Sequence, residues 1–259
     1  MNKKSLIVLS ILLLTNVSVS LVAAETALEK FEPRYIVDMP SAGMLENLSY
    51  SINSQLISNG GFLLDFTASF FKFLNVGISY GGNGVIGSNT MTMQRYPGFH
   101  IKARIINEDE GFPAIALGIN SQGKGMYISN EKRNEQLPPD FYVAVSKSFK
   151  WTLGTFSLNG GVNYSFEDED NRGINIYAGV EHSVTRFVAL ALEINPNLND
   201  NHVEIWKDKS KTIMLNGVLR LSPNDNMIIE IQFKDIFRNS RYSDEVGRYF
   251  GVQFVSKFF

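Results

Sequence analysis

GRYFGVQFVSKFF, residues 247–259, closes the chain. Phe250, Val252, Phe254 and Phe258 fall on every second residue, the spacing of a β-strand with one apolar face. Chain ends are usually frayed and wet, so a terminus this apolar has to be covered by something other than water. What the face of this strand touches decides the fold.

The other end narrows the choice. MNKKSLIVLSILLLTNVSVSLVAA carries Lys3 and Lys4, an apolar run from Leu6 to Leu14, and the small residues Val22, Ala23 and Ala24. This is the order of a secretory signal, residues 1–24, with cleavage expected after Ala24. The apolar run is short of the ~20 residues of a membrane-spanning helix. The chain has no cysteine, so disulfides and thiol chemistry are excluded. Its net charge of -2 lacks the basic footprint of a nucleic-acid binder.

Residues 25–46 contain Pro33 and Pro40 and show no clean period, which predicts a periplasmic N-terminal segment. From 47 to 259 short runs alternate apolar and polar residues. Examples are Leu48, Tyr50 and Ile52, then Phe62, Leu64 and Phe66, then Leu74, Val76 and Ile78. Phe99, Ile101 and Ala103 continue the pattern, and Pro113 can only begin the run Ile115, Leu117 and Ile119. Later runs include Phe141 to Val145, Phe156 to Phe166, Ile174 to Val180, Val188 to Ile194, Ile213 to Leu221, and Met227 to Phe233. The terminal run brings the total to about twelve strands, with no convincing helix.

The connections alternate as well. Those near Phe71 to Phe73, Asn107 to Gly111, Lys150 to Trp151, Ser183 to Arg186 and Ser222 to Asn226 are tight. Those at Gly81 to Pro97, Asn120 to Pro139, Glu167 to Arg172, Pro196 to Lys211 and Ile236 to Val246 are long, and Ser58 to Gly61 is short where length is expected. Sorting of loops by length is a mark of outer-membrane barrels. The expected fold is an all-β, antiparallel, up-and-down transmembrane barrel over 47–259, whose last strand pairs with the first and turns its apolar face to lipid.

RYPGFHIKARIINEDEGFPAIALGINSQGKGMY, FYVAVSKSF, LNGGVNYS and INIYAGVEHSV resemble a family of uncharacterised bacterial outer-membrane barrels related to the YjbH-type proteins associated with exopolysaccharide production. The resemblance centres on Pro113 to Ile119 and Ser146 to Phe149, covers nearly the whole mature chain, and implies outer-membrane localisation. The terminal aromatic resembles the signal read by the barrel assembly machinery, although Lys257 stands where that signal has an apolar residue. Expected partners are outer-membrane lipid, the assembly machinery during biogenesis and, through larger relatives, polysaccharide or envelope proteins; no nucleic acid is expected.

The family supplies no catalytic residue. Of the three histidines, His100 lies among inward-facing cations, His182 at a strand end and His202 in a loop, and no Ser–His pairing stands out. The acidic run Glu167 to Asp170 reads as a solvated loop, so no metal or cofactor is expected. By strand parity Lys102, Arg104, Glu181, Glu193, Arg220, Glu230 and Lys234 share the lumen side, and their nearly balanced signs suit mutual pairing. The favoured reading is a structural or envelope-associated barrel with a salt-bridged lumen, linked to surface polysaccharide export through its relatives. A narrow passive diffusion channel is the first alternative, and a barrel-borne lipid hydrolase the second.

Overall fold

The computed structural model describes Val22–Ala23 and residues 32–259, apart from 88–89, 168–171, 186, 202–204, 209–210 and 242–244. The signal-peptide expectation therefore falls outside the described residues, except at Val22–Ala23.

Twelve antiparallel strands form the wall: β1 Ser49–Ile57, β2 Gly61–Phe71, β3 Leu74–Asn83, β4 Gly98–Ile106, β5 Ala114–Asn120, β6 Phe141–Trp151, β7 Gly154–Tyr164, β8 Ile174–Thr185, β9 Val188–Asn195, β10 Met214–Asn224, β11 Met227–Lys234 and β12 Gly247–Lys257. Each pairs with its neighbours in sequence, and β12 pairs with β1 from Lys257↔Ser49 to Phe250↔Leu56. The short β5 joins β4 and the first half of β6, from Phe141↔Ile119 to Ser146↔Ala114, and closes the ring; beyond its end, Val22–Ala23 pairs with Phe149 and Lys150 of β6. Closure matters in lipid, where an unpaired strand edge has no water to bond.

Alternation does what the sequence predicts. Phe66, Ile78, Phe99, Leu117, Leu192, Phe250 and Phe254 point outward and are exposed, while Thr67, Ser79, His100, Ala116, Glu193 and Asn216 point inward and are buried. Aromatic rings flank this apolar band. Phe70, Phe71, Phe73, Trp151 and Phe187 cluster toward the short turns, and Phe99, Phe141, Phe166 and Phe233 toward the long loops. Two such girdles mark the interfaces of a membrane barrel. The terminal question is answered here: Phe258 lies 5.1 Å from the ring of Tyr50 and 5.9 Å from that of Phe70, on the outer surface beside the closing seam.

The tight connections are 72–73, 107–113, 152–153, 186–187 and 225–226, all at one end; the long ones are 84–97, 121–140, 165–173, 196–213 and 235–246 at the other. Ser58–Gly60 is a single 3-10 turn on the long-loop end, the exception that the sequence showed.

Inward rings are seated on glycines of the preceding strand. His100 lies over Gly77, Tyr142 over Gly118 and Tyr177 over Gly161, each so close that a Cβ would overlap the ring. Flattening these rings against the wall leaves room at the centre of the lumen. Gly161→Val forces Tyr177 inward and also strikes the Val143 carbonyl, so it is expected to cost about 1–3 kcal/mol of overpacking. A lowered melting point of the folded, heat-modifiable form on gels checks this; an unchanged one contradicts it.

Candidate functional site: a polar lumen filled by the N-terminal hairpin

The expected periplasmic segment is not outside the barrel. From Arg34 to Leu45 nearly every residue is buried, surrounded by inward-facing side chains of the wall. Residues 25–31 lie outside the described residues. The correction has a physical cause. This stretch lacks strand periodicity because it is embraced on all sides, and its backbone groups are satisfied by lumen side chains rather than by a sheet.

Arg34–Ser41 forms a hairpin, closed by Ser41 N to Arg34 O (3.1 Å), Ile36 N to Met39 O (2.8 Å) and a bridge between Tyr35 and Pro40. Its tip at Val37–Met39 is grasped by one carboxylate. Glu193, 0% exposed on β9, accepts the backbone N–H groups of Val37 (2.9 Å), Asp38 (2.8 Å) and Met39 (2.8 Å) on one oxygen. Its other oxygen accepts the Asn216 amide at 3.0 Å. Asp38 answers in the opposite sense: its carboxylate takes the Lys234 ammonium and the Asn216 amide. Charge-assisted bonds of this kind are the strong ones, and here both partners are withdrawn from water.

The limbs are held likewise. Lys102 Nζ donates to the carbonyls of Arg34 (2.7 Å), Ser41 (3.0 Å) and Gly43 (3.2 Å). Arg104 pairs with Glu32 and donates to the Ala42 carbonyl. Arg220 Nη2 donates to the carbonyls of Tyr35 (2.9 Å) and Ile36 (2.6 Å), while its other nitrogens pair with Glu181 and Glu230. Arg34 donates to Ser51, and Ser146 accepts the Ala42 N–H. Apolar contacts complete the seat: Val37 with Ala191 and Val218, Ile36 and Met39 with Tyr177, and Ala42 with Ala114 and Ala116.

All seven residues picked by strand parity therefore face the lumen. Only Arg220, Glu181 and Glu230 pair with one another. Lys102, Arg104, Glu193 and Lys234 turn to the hairpin instead of spanning the lumen to each other. Sequence reasoning missed Glu32, Arg34, Tyr35 and Asp38, the hairpin's half of the network. The one available signal was the presence of charged residues within a segment that had no face of its own.

The long-loop end is roofed. A small hairpin of Lys124–Ile128 and Arg133–Gln136 lies across it, held by a buried pair of Arg133 and Asp200 and by the cluster of Ile128, Ile205, Trp206 and Met214. Roof and hairpin touch through Gln136 Nε2 on Met39 Sδ (3.5 Å) and through Lys124 above the Tyr35 ring (5.0 Å). Burial pushes the Lys124 ammonium down and the Glu135 carboxyl up, and it raises Glu167 to about 7. On the opposite side, a cavity of about 510 Å³ lies between the hairpin and β8 to β12 with β1, bounded by residues of the short turns 186–187 and 225–226.

One arrangement has the look of hydrolase machinery. His100 Nε2 lies 3.0 Å from Thr67 Oγ1, and its Nδ1 lies 3.4 Å from Asp65. Thr67, however, is 0% exposed and already donates to Asp65, and its hydroxyl has no opening toward a substrate. His182 points outward and accepts the Trp151 N–H at 3.2 Å, and His202 lies outside the described residues. No group of acidic and histidine side chains suited to a metal occurs among the described residues; of the acidic run, only Glu167 is described, and it accepts the Asn134 amide.

No protein-family model and no curated protein matches the chain. Solved structures of similar fold include the KdgM porin, at 12% identity and TM-score 0.48 over 80% of this chain and 98% of that one. Acinetobacter baumannii outer membrane protein Omp33 follows at 10% and 0.46, over 81% and 98%, and the NanC porin at 9% and 0.43, over 81% and 100%. These are likenesses of outer-membrane barrel architecture, and the chemistry of those proteins does not pass to this chain through them.

Proposed function

We propose that this protein is a narrow outer-membrane channel for small polar solutes, held closed by its own N-terminal hairpin. The observation that carries the reading is the way the hairpin is bound. On its C-terminal side it runs directly into β1, upstream of it Val22–Ala23 pairs with β6, and the hairpin itself is held by side chains that a withdrawn hairpin would leave facing a polar lumen. A purely structural barrel could fill the same space with wall side chains, as small barrels do. Withdrawal would expose Asn75, Asn216, Gln55, Gln232 and the basic set, a surface suited to hydrated solutes. It would also remove the support that Met39 and Tyr35 give the roof.

The buried Arg133–Asp200 pair in the roof favours the second reading, an envelope-associated barrel that never opens. Planar-bilayer recording separates the two. A channel shows rare openings in the wild type and frequent ones when hairpin contacts are cut; an inert barrel stays silent in both. The link to polysaccharide export rests on the family resemblance alone.

The short-turn end is assigned to the periplasm, as in other outer-membrane barrels. An epitope inserted beside the exposed Asn130 should be reached by antibody on intact cells, and one at Asn224 only after the outer membrane is opened. Labelling of the Asn224 epitope on intact cells would reverse the assignment.

A further inference from the structure

The cavity beside the hairpin has a wall chemistry of its own. Four of its carboxylates are matched by cations, Glu181 and Glu230 on Arg220, Glu32 on Arg104 and Glu46 on Lys257, and the fifth, Asp225, sits in the short turn at the mouth. Gln232 is spent as well, accepting from Gln55 at 2.7 Å and donating to Glu230 at 2.6 Å. What remains on the β10, β12 and β1 wall is neutral. Asn53 and Gln253 stand opposite each other across the closing seam, and neither side chain has a hydrogen-bond partner among the described residues. The hydroxyl of Ser222 lies on the same cavity. Each amide offers a donor and an acceptor close together, the match for a pair of neighbouring hydroxyls. Val37 and Ile228 supply apolar faces against which the C–H side of a sugar ring can lie.

We infer that this cavity is a binding site for a short neutral saccharide, seated between the Asn53–Gln253 amide pair and the hairpin and entered from the short-turn end. An acidic ligand would find Arg34, which already donates to Ser51, and Lys124 at the inner end, whose ammonium leans on the Tyr35 ring, and would meet Glu181 and Glu230 on the way. A peptide adding to a sheet needs a free strand edge, and the closed seam of β12 and β1 has none. The volume of about 510 Å³ falls within the range of small-molecule sites. The site is complete in the closed barrel, so it stands whether or not the hairpin ever leaves.

The test is saturation-transfer NMR and calorimetry on the full folded chain in detergent, with maltotriose, maltose, the acid maltobionate derived from maltose, and trialanine as probes. Maltotriose should bind best. Truncating the amides in the double variant Asn53→Ala, Gln253→Ala should weaken it roughly tenfold or more, the loss of two neutral hydrogen bonds. Gln253→Arg, which fills the cavity without touching the hairpin contacts, should abolish binding while the barrel stays heat-modifiable. Tighter binding of maltobionate or trialanine overturns the assigned class. No binding of any probe, or binding that survives both variants, reduces the cavity to a water-filled vestibule and overturns the site.

Discussion

Glu193→Ala turns a quiet barrel into one that opens often. The single carboxylate satisfies three consecutive backbone N–H groups at the hairpin tip and the Asn216 amide, all buried. Alanine leaves the three tip N–H groups without a partner, at about 1–3 kcal/mol for each buried group that water cannot reach, while the Asn216 amide keeps Asp38. Water enters part of the vacated space, so a net loss of about 3 kcal/mol is expected, roughly a hundredfold in the ratio of seated to withdrawn hairpin. In planar bilayers this appears as a large rise in open time at unchanged unit conductance. Glu193→Gln, which keeps one carbonyl oxygen for the tip, should fall between the two. The wall should survive both changes, because the β8, β9 and β10 ladders do not use this side chain. An unaltered record from a well-folded Glu193→Ala protein would leave the hairpin without the role assigned to it.

The second large effect concerns the two faces of the wall. Ile231 on β11 points outward into the apolar band, and Gln253 on β12 points inward at the cavity. An arginine facing lipid near the middle of a barrel costs about 2–4 kcal/mol, while one in the lumen is tolerated. Ile231→Arg should therefore assemble poorly and lose most of its folded yield, whereas Gln253→Arg should assemble nearly as the wild type does. Equal yields would mean that the outer face is not in lipid.

The wall was almost wholly legible before the structure. Period-two alternation places each residue on a face, and in lipid the outer face must be apolar, so Phe250, Phe254, Ile78 and Leu192 carry their orientation in their chemistry. The lumen side of Lys102, Glu193, Arg220 and the others follows from the same parity. Their partners do not follow. Val37 and Glu193 are 156 residues apart, and the groups bonded at the hairpin tip are backbone N–H groups that any sequence would carry. A segment packed inside a polar tube needs neither an apolar face nor a period, so residues 25–46 read as loose chain although Ile36 and Met39 are each 1% exposed. The glycine seats under His100, Tyr142 and Tyr177 were hidden for the same reason, since each joins residues of two strands.

The absence of native cysteine permits the most direct test of the central claim, that residues 34–41 occupy and close the lumen. Val37 packs against Val218 of β10 inside the barrel. In the double variant Val37→Cys, Val218→Cys, carrying Glu193→Ala as well, the account predicts ready disulfide formation in the folded protein. It further predicts silence in planar bilayers while the bond is intact and frequent openings once a reductant is added. Failure of the pair to cross-link, or conductance indifferent to the reductant, would contradict it.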